Sequence, residues 1–175
     1  MTTIRAVRGD ITEQRVDAVV NAANRAMRGG GGVDGAIHGV GGPEILADCR
    51  RRFPNGLATG DAGWTTAGNL PARWVIHTVG PNWNRGERDR ELLVSCYRRV
   101  LETADELGAT TIAVPLIGAG SFGWPVDDAV RVAVETLATT PSRVEVITVV
   151  AFSEELLREV ERQLTLSRRD DQGHR

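Results

Sequence analysis

The sequence predicts an α/β sandwich, with helices on both faces of a mixed sheet, and three observations carry that prediction. Strand-like segments rich in β-branched residues alternate with amphipathic helical patterns along the chain. The run Ile147-Thr148-Val149-Val150-Ala151-Phe152 is almost continuously apolar, as expected of a strand covered on both faces. Two glycine-rich loops, Gly29-Gly30-Gly31-Gly32 and Gly118-Ala119-Gly120-Ser121-Phe122-Gly123, each follow a strand, which is where open α/β sheets hold ligands.

Strands are expected over residues 4–8, 16–20, 74–79, 111–115 and 144–152, with a shorter one over 62–67. Between them, residues 91–107 form the clearest helix. Leu92, Leu93, Cys96, Tyr97, Val100, Leu101 and Ala104 share one stripe, and Gly108 stops it. Pro125 suits the first turn of the next helix, Asp127 and Asp128 favour its positive end, and Val126, Ala129, Val130, Ala133, Val134 and Leu137 supply its apolar face. Ser153 is an N-cap for a last helix carrying Leu156, Leu157, Val160 and Leu164. Residues 167–175 are polar without periodicity, so one domain over 1–166 and a disordered tail are expected.

A chain of 175 residues is long enough for one domain with a substantial core. Its formal charge of -2 excludes a global basic field, although a local patch remains open. All 21 basic residues are arginine, which excludes a Schiff-base or phosphate-loop lysine. Cys49 and Cys96 lie far apart and are expected to be reduced and packed in helices; His38, His77 and His174 have no ligand spacing. No metal and no cofactor are therefore expected. The first residues lack an apolar leader and no run is long enough to span a bilayer, so a cytoplasmic protein with no membrane partner is expected.

Consecutive glycine N–H groups make nests for phosphate oxygens, so two such loops point to two phosphates. The spacing Gly118-x-Gly120-x-x-Gly123 formally matches a dinucleotide fingerprint. A nicotinamide site would also need an early βαβ unit and an acid closing the next strand about 20 residues on. Glu145 opens its strand instead, and Glu154 lies too far away. His77, among Val75, Ile76 and Val79, reads as a satisfied core histidine.

Several segments, in order, carry a resemblance: Gly9-Asp10-Ile11-Thr12, Asn21-Ala22-Ala23-Asn24, the stretch from Gly29 through Gly35 with Ala36-Ile37-His38, Asn69-Leu70-Pro71, Val75-Ile76-His77-Thr78-Val79-Gly80-Pro81, Phe122-Gly123-Trp124-Pro125, and Phe152 with Glu154-Glu155. The chain resembles the macrodomains, and among them the MacroD-type ADP-ribosylhydrolases. That resemblance implies a three-layer α/β/α sandwich and ADP-ribose as ligand. It implies that Asp10 accepts from the adenine amino group, Phe152 packs on the adenine, Asn24 binds the distal ribose and belongs with Asp34 to the catalytic pair, and Asp34 is the catalytic acid. Asn21 is expected to be the structural turn asparagine, while Asp34 could also cap the helix that follows. The amides of Gly31, Gly32, Gly120, Ser121 and Phe122 would bind phosphate. Ile11, Ala22, Ala23, Gly30, Val33, Gly118, Ala119 and Gly123 complete the implied binding set.

An aspartate side chain, with an ordinary pKa of about 3.9, is a weak base near neutrality and orients water more than it deprotonates it. Glycosidic cleavage ordinarily uses two carboxyl groups, one of them to protonate the leaving oxygen. A single candidate suffices when the leaving group is itself stable as an anion. The expected substrate is therefore mono-ADP-ribose esterified to Asp or Glu side chains of proteins, with O-acetyl-ADP-ribose deacetylation as a side activity. Two alternatives stay open: ADP-ribose on a nucleic-acid base such as thymine, and a non-catalytic ADP-ribose reader. Where MacroD-type proteins carry Ser-Thr-Gly, this chain has Gly118-Ala119-Gly120-Ser121, a smaller and more flexible loop. Arg25, Arg28, Arg85, Arg88 and Arg90 could form a basic mouth for nucleic acid or a solvated surface. A monomer is favoured, with the oligomeric state left open.

Overall fold

In the computed structural model, which describes residues 1–173, six strands form one sheet: β1 Thr3–Arg8, β2 Ala18–Ala23, β3 Ala62–Thr66, β4 Trp74–Val79, β5 Thr111–Val114 and β6 Val146–Ala151. Their order is β1-β6-β5-β2-β4-β3, parallel throughout except for the antiparallel edge pair of β3 with β4. Parallel neighbours must be joined by crossovers. These crossovers bring the C-terminal ends of β1, β2, β4, β5 and β6 to one edge of the sheet, where Gly9-Asp10, Asn24, Gly80, Pro115 and Phe152 follow.

Five α-helices cover the sheet: α1 Gly32–Gly41, α2 Pro43–Arg52, α3 Arg90–Leu107, α4 Val126–Thr139 and α5 Glu154–Gly173. Alternation along the strands divides the interior into two layers. Ile76, Ile112, Val114, Ile147 and Val149 pack with Tyr97, Val130 and Val160 of α3, α4 and α5. Val19, Val75, Ala113 and Val150 face the other way, against Ile37 of α1 and Ile45 and Cys49 of α2. The arrangement is the three-layer sandwich that the sequence predicts.

Most elements lie where periodicity placed them. Gly108 caps α3 at φ 71, in the left-handed region, and Ser153 Oγ accepts from the Leu156 amide 3.2 Å away at the start of α5. Pro125 is the N-cap of α4 rather than part of its first turn. Expected 16–20, the second strand instead runs through Asn21, Ala22 and Ala23, which pair with His77, Thr78 and Val79. Asparagine and alanine are poor strand formers. A central position between β4 and β5 overrides that preference.

The expected disorder from residue 167 is corrected as far as Gly173, where α5 ends; His174 and Arg175 lie outside the described residues. Leu164 is buried, and Leu166, Arg168, Arg169 and Gln172 in the turns beyond it are good helix formers. Arg168 reaches the Ile4 carbonyl at 3.4 Å. The missing apolar periodicity marks a solvated helix extension, not a loss of structure. Cys49 and Cys96 are both free and buried.

Candidate functional site

The first glycine loop turns directly into α1, so the site begins with a helix N-terminus. Gly31 is the N-cap and no side chain caps the helix. The first N–H groups of a helix have no intrahelical partner, and with the helix dipole they favour an anion. Asp34 is therefore not the cap that local sequence allows. It is the third residue of α1, 5% exposed, with its carboxylate turned back beneath the loop.

That carboxylate is held asymmetrically. Oδ1 accepts from Asn21 Nδ2 at 2.8 Å and lies 3.3 Å from His38 Nε2. Oδ2 has no hydrogen bond among the described residues and flanks Gly30, whose hypothetical Cβ would stand 3.2 Å from it and 3.3 Å from Asn24 Nδ2. A side chain at residue 30 would crowd both groups.

Behind Asp34 runs a buried polar relay. Asn21 Nδ2 also donates to His77 Nδ1 at 3.0 Å, and His77 Nε2 meets Thr65 Oγ1 at 2.8 Å. Thr65 donates its own proton to the Thr66 carbonyl, so its oxygen accepts from His77. His77 is thereby neutral with its proton on Nε2. Burial, and secondarily His38, push its pKa down to about 3. This is the satisfied core histidine expected from the sequence. An acceptor at Nδ1 and a carboxylate at Asp34 together fix which way the Asn21 amide points.

Asn21 is not the turn asparagine expected, whereas Asn24 both closes the turn and lines the cleft. Asn21 lies inside β2, fully buried, and supports Asp34. Asn24 closes the turn: its Oδ1 accepts from the Met27 amide at 3.2 Å and its Nδ2 donates to the Gly29 carbonyl at 3.1 Å. Met27 adopts φ 58 with its side chain 2% exposed, which anchors this turn in the core. One N–H of Asn24 remains for a ligand.

The second glycine loop faces the first across the ends of β2 and β5. Ala22, Ala23, Asn24, Gly30, Gly31, Gly32, Val33 and Asp34 line one cleft together with Gly118, Gly120, Ser121 and Phe122. Asp34 and Gly120 thus meet at one site. The N–H groups of Gly120, Ser121 and Phe122 have no backbone partner among the described residues, as a phosphate nest requires. Ala119 and Gly123 do not line the cleft. Gly123, at φ 77, is a turn residue packed against Asn84.

A hollow of about 530 Å³ continues the cleft at one end. It shares Gly32, Val33, Pro115, Leu116 and Gly120 with the cleft and is walled by Asp10, Ile11 and Phe152. Phe152 is 76% exposed, which argues against a core role and leaves a ring face for a base. Asp10 Oδ1 accepts from the Thr12 amide and hydroxyl, at 2.9 and 2.6 Å, while Oδ2 has no partner among the described residues. Pro115, Leu116, Ile117 and Gly80 were not expected in the site. Their position at strand C-termini was the available signal.

Four of the five arginines near the mouth have internal partners. Arg28 turns inward to the carbonyls of Met27, Cys49, Phe53 and Pro54. Arg25 pairs with Glu87, Arg88 lies over Trp83, and Arg90 pairs with Asp128. Only the Arg85 guanidinium has none among the described residues. Neither do the described residues contain a group of three or more His, Cys, Asp or Glu placed to hold a metal, or a helix long and apolar enough to cross a membrane.

Comparison with known proteins agrees with this geometry. The Macro domain profile matches residues 20–133. A Macro domain-containing protein of Streptomyces coelicolor is 60% identical over 156 residues, covering 87% of this chain and 92% of that protein. A Pantoea vagans protein named O-acetyl-ADP-ribose deacetylase 1 is 46% identical, covering 78% and 82%. Among solved structures, a mutant of the Oceanobacillus iheyensis macrodomain superposes with a TM-score of 0.90 at 36% identity, covering 97% of this chain and 94% of that one. The Trypanosoma brucei macrodomain in complex with ADP-ribose gives 0.82 at 36% identity, covering 91% and 68%. Two glycine loops on the strand ends of this sandwich, and relatives matching across most of its length, place the chain in the macro domain family.

Proposed function

We propose that the chain is a MacroD-type mono-ADP-ribosylhydrolase acting on ADP-ribose esterified to Asp or Glu side chains of proteins, with O-acetyl-ADP-ribose deacetylation as a second activity. The observation that carries this reading is the Asp34 carboxylate: one oxygen is fixed by Asn21 and the other lies unpaired beside Asn24 at the cleft. The name of the Pantoea vagans relative and the ADP-ribose complex of the Trypanosoma brucei macrodomain support it.

In this reading adenine lies on Phe152 with its amino group toward Asp10 Oδ2. The diphosphate spans the two nests, and the distal ribose reaches Asn24. Asp34 Oδ2 orients a water toward C1″. As the water oxygen bonds to C1″, the bond to the ester oxygen breaks and the acyl group leaves as a carboxylate. Its parent acid has a pKa of about 4, so no general acid is needed at the leaving oxygen. The proton released by the water passes to Asp34 or to solvent. A serine-linked ADP-ribose would leave as an alkoxide and should react poorly.

Single-turnover release of ADP-ribose from a mono-modified protein tests the assignment. Asp34→Ala should lose roughly 10² to 10⁴-fold. Equal rates remove Asp34 from the chemistry. Tight ADP-ribose binding without wild-type turnover makes the protein a reader.

A further inference from the structure

The second glycine loop has three glycines in six residues, so its backbone is free to adopt many shapes. Residues 120–123 nevertheless form a closed turn, in which the Gly123 amide donates to the Gly120 carbonyl at 3.0 Å. The peptide group joining Ser121 to Phe122 lies at the centre of that turn. It is the group that rotates between one β-turn form and another, and its rotation decides whether a carbonyl or an N–H faces the cleft. Phe122 has a negative φ, since Met27 is the one described non-glycine residue with a positive value. The turn is therefore not the form that needs a left-handed third residue.

Asn84 fixes the central group from outside the cleft. Its side-chain Nδ2 donates to the Ser121 carbonyl at 3.0 Å, and its backbone N–H donates to the Phe122 carbonyl at 3.1 Å. A trans peptide group is planar, so its C=O and N–H point in opposite directions. With the Ser121 carbonyl drawn to Asn84, the Phe122 N–H is turned the other way, toward the cleft that Ser121 and Phe122 line and Asn84 does not. The segment that carries Asn84 has its own supports. The Arg85 amide donates to the Asn82 carbonyl at 3.1 Å, Glu87 Oε1 accepts from the Asn82 amide at 3.1 Å, and the other Glu87 oxygen meets Arg25 at 3.6 Å. Trp83 lies edge-on to Trp124, with ring centres 5.0 Å apart. Asn84 thus stands on a braced segment and does not merely follow the loop it contacts.

We propose that Asn84 is a positioning residue for the diphosphate: it orients the Ser121–Phe122 peptide group so that the Phe122 N–H is presented to a phosphate oxygen. The proposal rests on the reading above in which the diphosphate spans the two nests. Asn84 touches no substrate and acts through the peptide group it holds.

The test titrates wild type, Asn84→Leu and Asn84→Ala with ADP-ribose and with adenosine, which keeps the base and one ribose but has no phosphate. Asn84 is exposed, and its backbone bond to Phe122 survives both substitutions, so the melting temperature should stay close to wild type. Each variant should bind ADP-ribose about fivefold more weakly and adenosine as wild type does. In NMR spectra of wild type, ADP-ribose should shift the Phe122 amide proton downfield together with those of Gly31 and Gly32. The variants should lose the first shift and keep the other two. Unchanged ADP-ribose affinity, equal losses for ADP-ribose and adenosine, or a Phe122 shift retained in the variants would overturn the assignment and leave the diphosphate reading standing. No ADP-ribose binding by wild type would overturn both.

Discussion

The two glycine loops face the same cleft but are held in opposite ways. Residues 29–32 are braced from inside the site, by Asn24, whose Nδ2 donates to the Gly29 carbonyl. Residues 118–123 are braced from outside. The Tyr97 hydroxyl accepts from the Ile117 amide at 2.9 Å, Asn84 donates to the Ser121 carbonyl at 3.0 Å, and the Trp124 amide closes onto Gly118. In the first loop the group that fixes the backbone, Asn24, is one that would meet a substrate. In the second, support and binding belong to different residues. Substitutions should therefore couple stability to activity in the first region and separate them in the second.

The largest effect expected outside Asp34 itself is at Asn21. Asn21→Leu strips a donor from both Asp34 and His77 and should cost about 3 kcal/mol of stability, with kcat falling far more than ADP-ribose affinity. Chemical denaturation and single-turnover assays read both; an intact kcat in a destabilised variant would break the coupling. Phe152→Ala should weaken ADP-ribose binding by about 2 kcal/mol while leaving the melting temperature unchanged, since the ring is largely exposed. Calorimetry showing wild-type affinity would remove Phe152 from the adenine site. For the second loop, Gly123→Ala forces an L side chain to φ 77 against Asn84 and should cost about 1–2 kcal/mol. A thermal melt equal to wild type would show that the loop adapts.

Near neutrality the smallest effect is pH dependence. The folded state holds His77 at a pKa of about 3 against an ordinary 6.5. Above 6.5 the ring is neutral folded or unfolded and contributes no slope. Below 6.5 the unfolded chain binds a proton that the folded chain refuses, so stability falls as pH drops from 6.5 toward 3. His77→Asn, whose Oδ1 overlays the ring Nδ1 and keeps an acceptor for Asn21, should flatten that fall in urea titrations. An unchanged slope would place the dependence elsewhere, first at Asp48. Burial opposes ionisation of that carboxyl, yet the Thr66 amide, Arg52 and Arg51 hold it below its usual range.

Features legible in the chain were those with a local cause. The α3 stripe with Gly108, the Ser153 cap and the placement of both glycine loops after strands follow from periodicity, turn chemistry and backbone freedom within a few residues. That Asn21 supports Asp34 from inside β2 while Asn24 closes the turn was not legible. Asn21 reads as the turn asparagine and Asn24 as the ribose ligand, and what takes Asn21 out of the turn is that β2 runs on to pair with β4, turning it toward α1. The arginines were equally ambiguous, because the Arg28 partners at Cys49, Phe53 and Pro54 lie over twenty residues away.

By itself, then, the sequence determined an α/β sandwich and two glycine loops at strand ends, because each is written in neighbouring residues, while Asp34 was singled out by resemblance to the macrodomains. Tertiary structure alone decided which oxygen of Asp34 is anchored, which asparagine anchors it, and that Asn84 meets the Ser121 carbonyl. Those outcomes depend on strand register and crossover packing, which bring together residues that local preferences cannot connect.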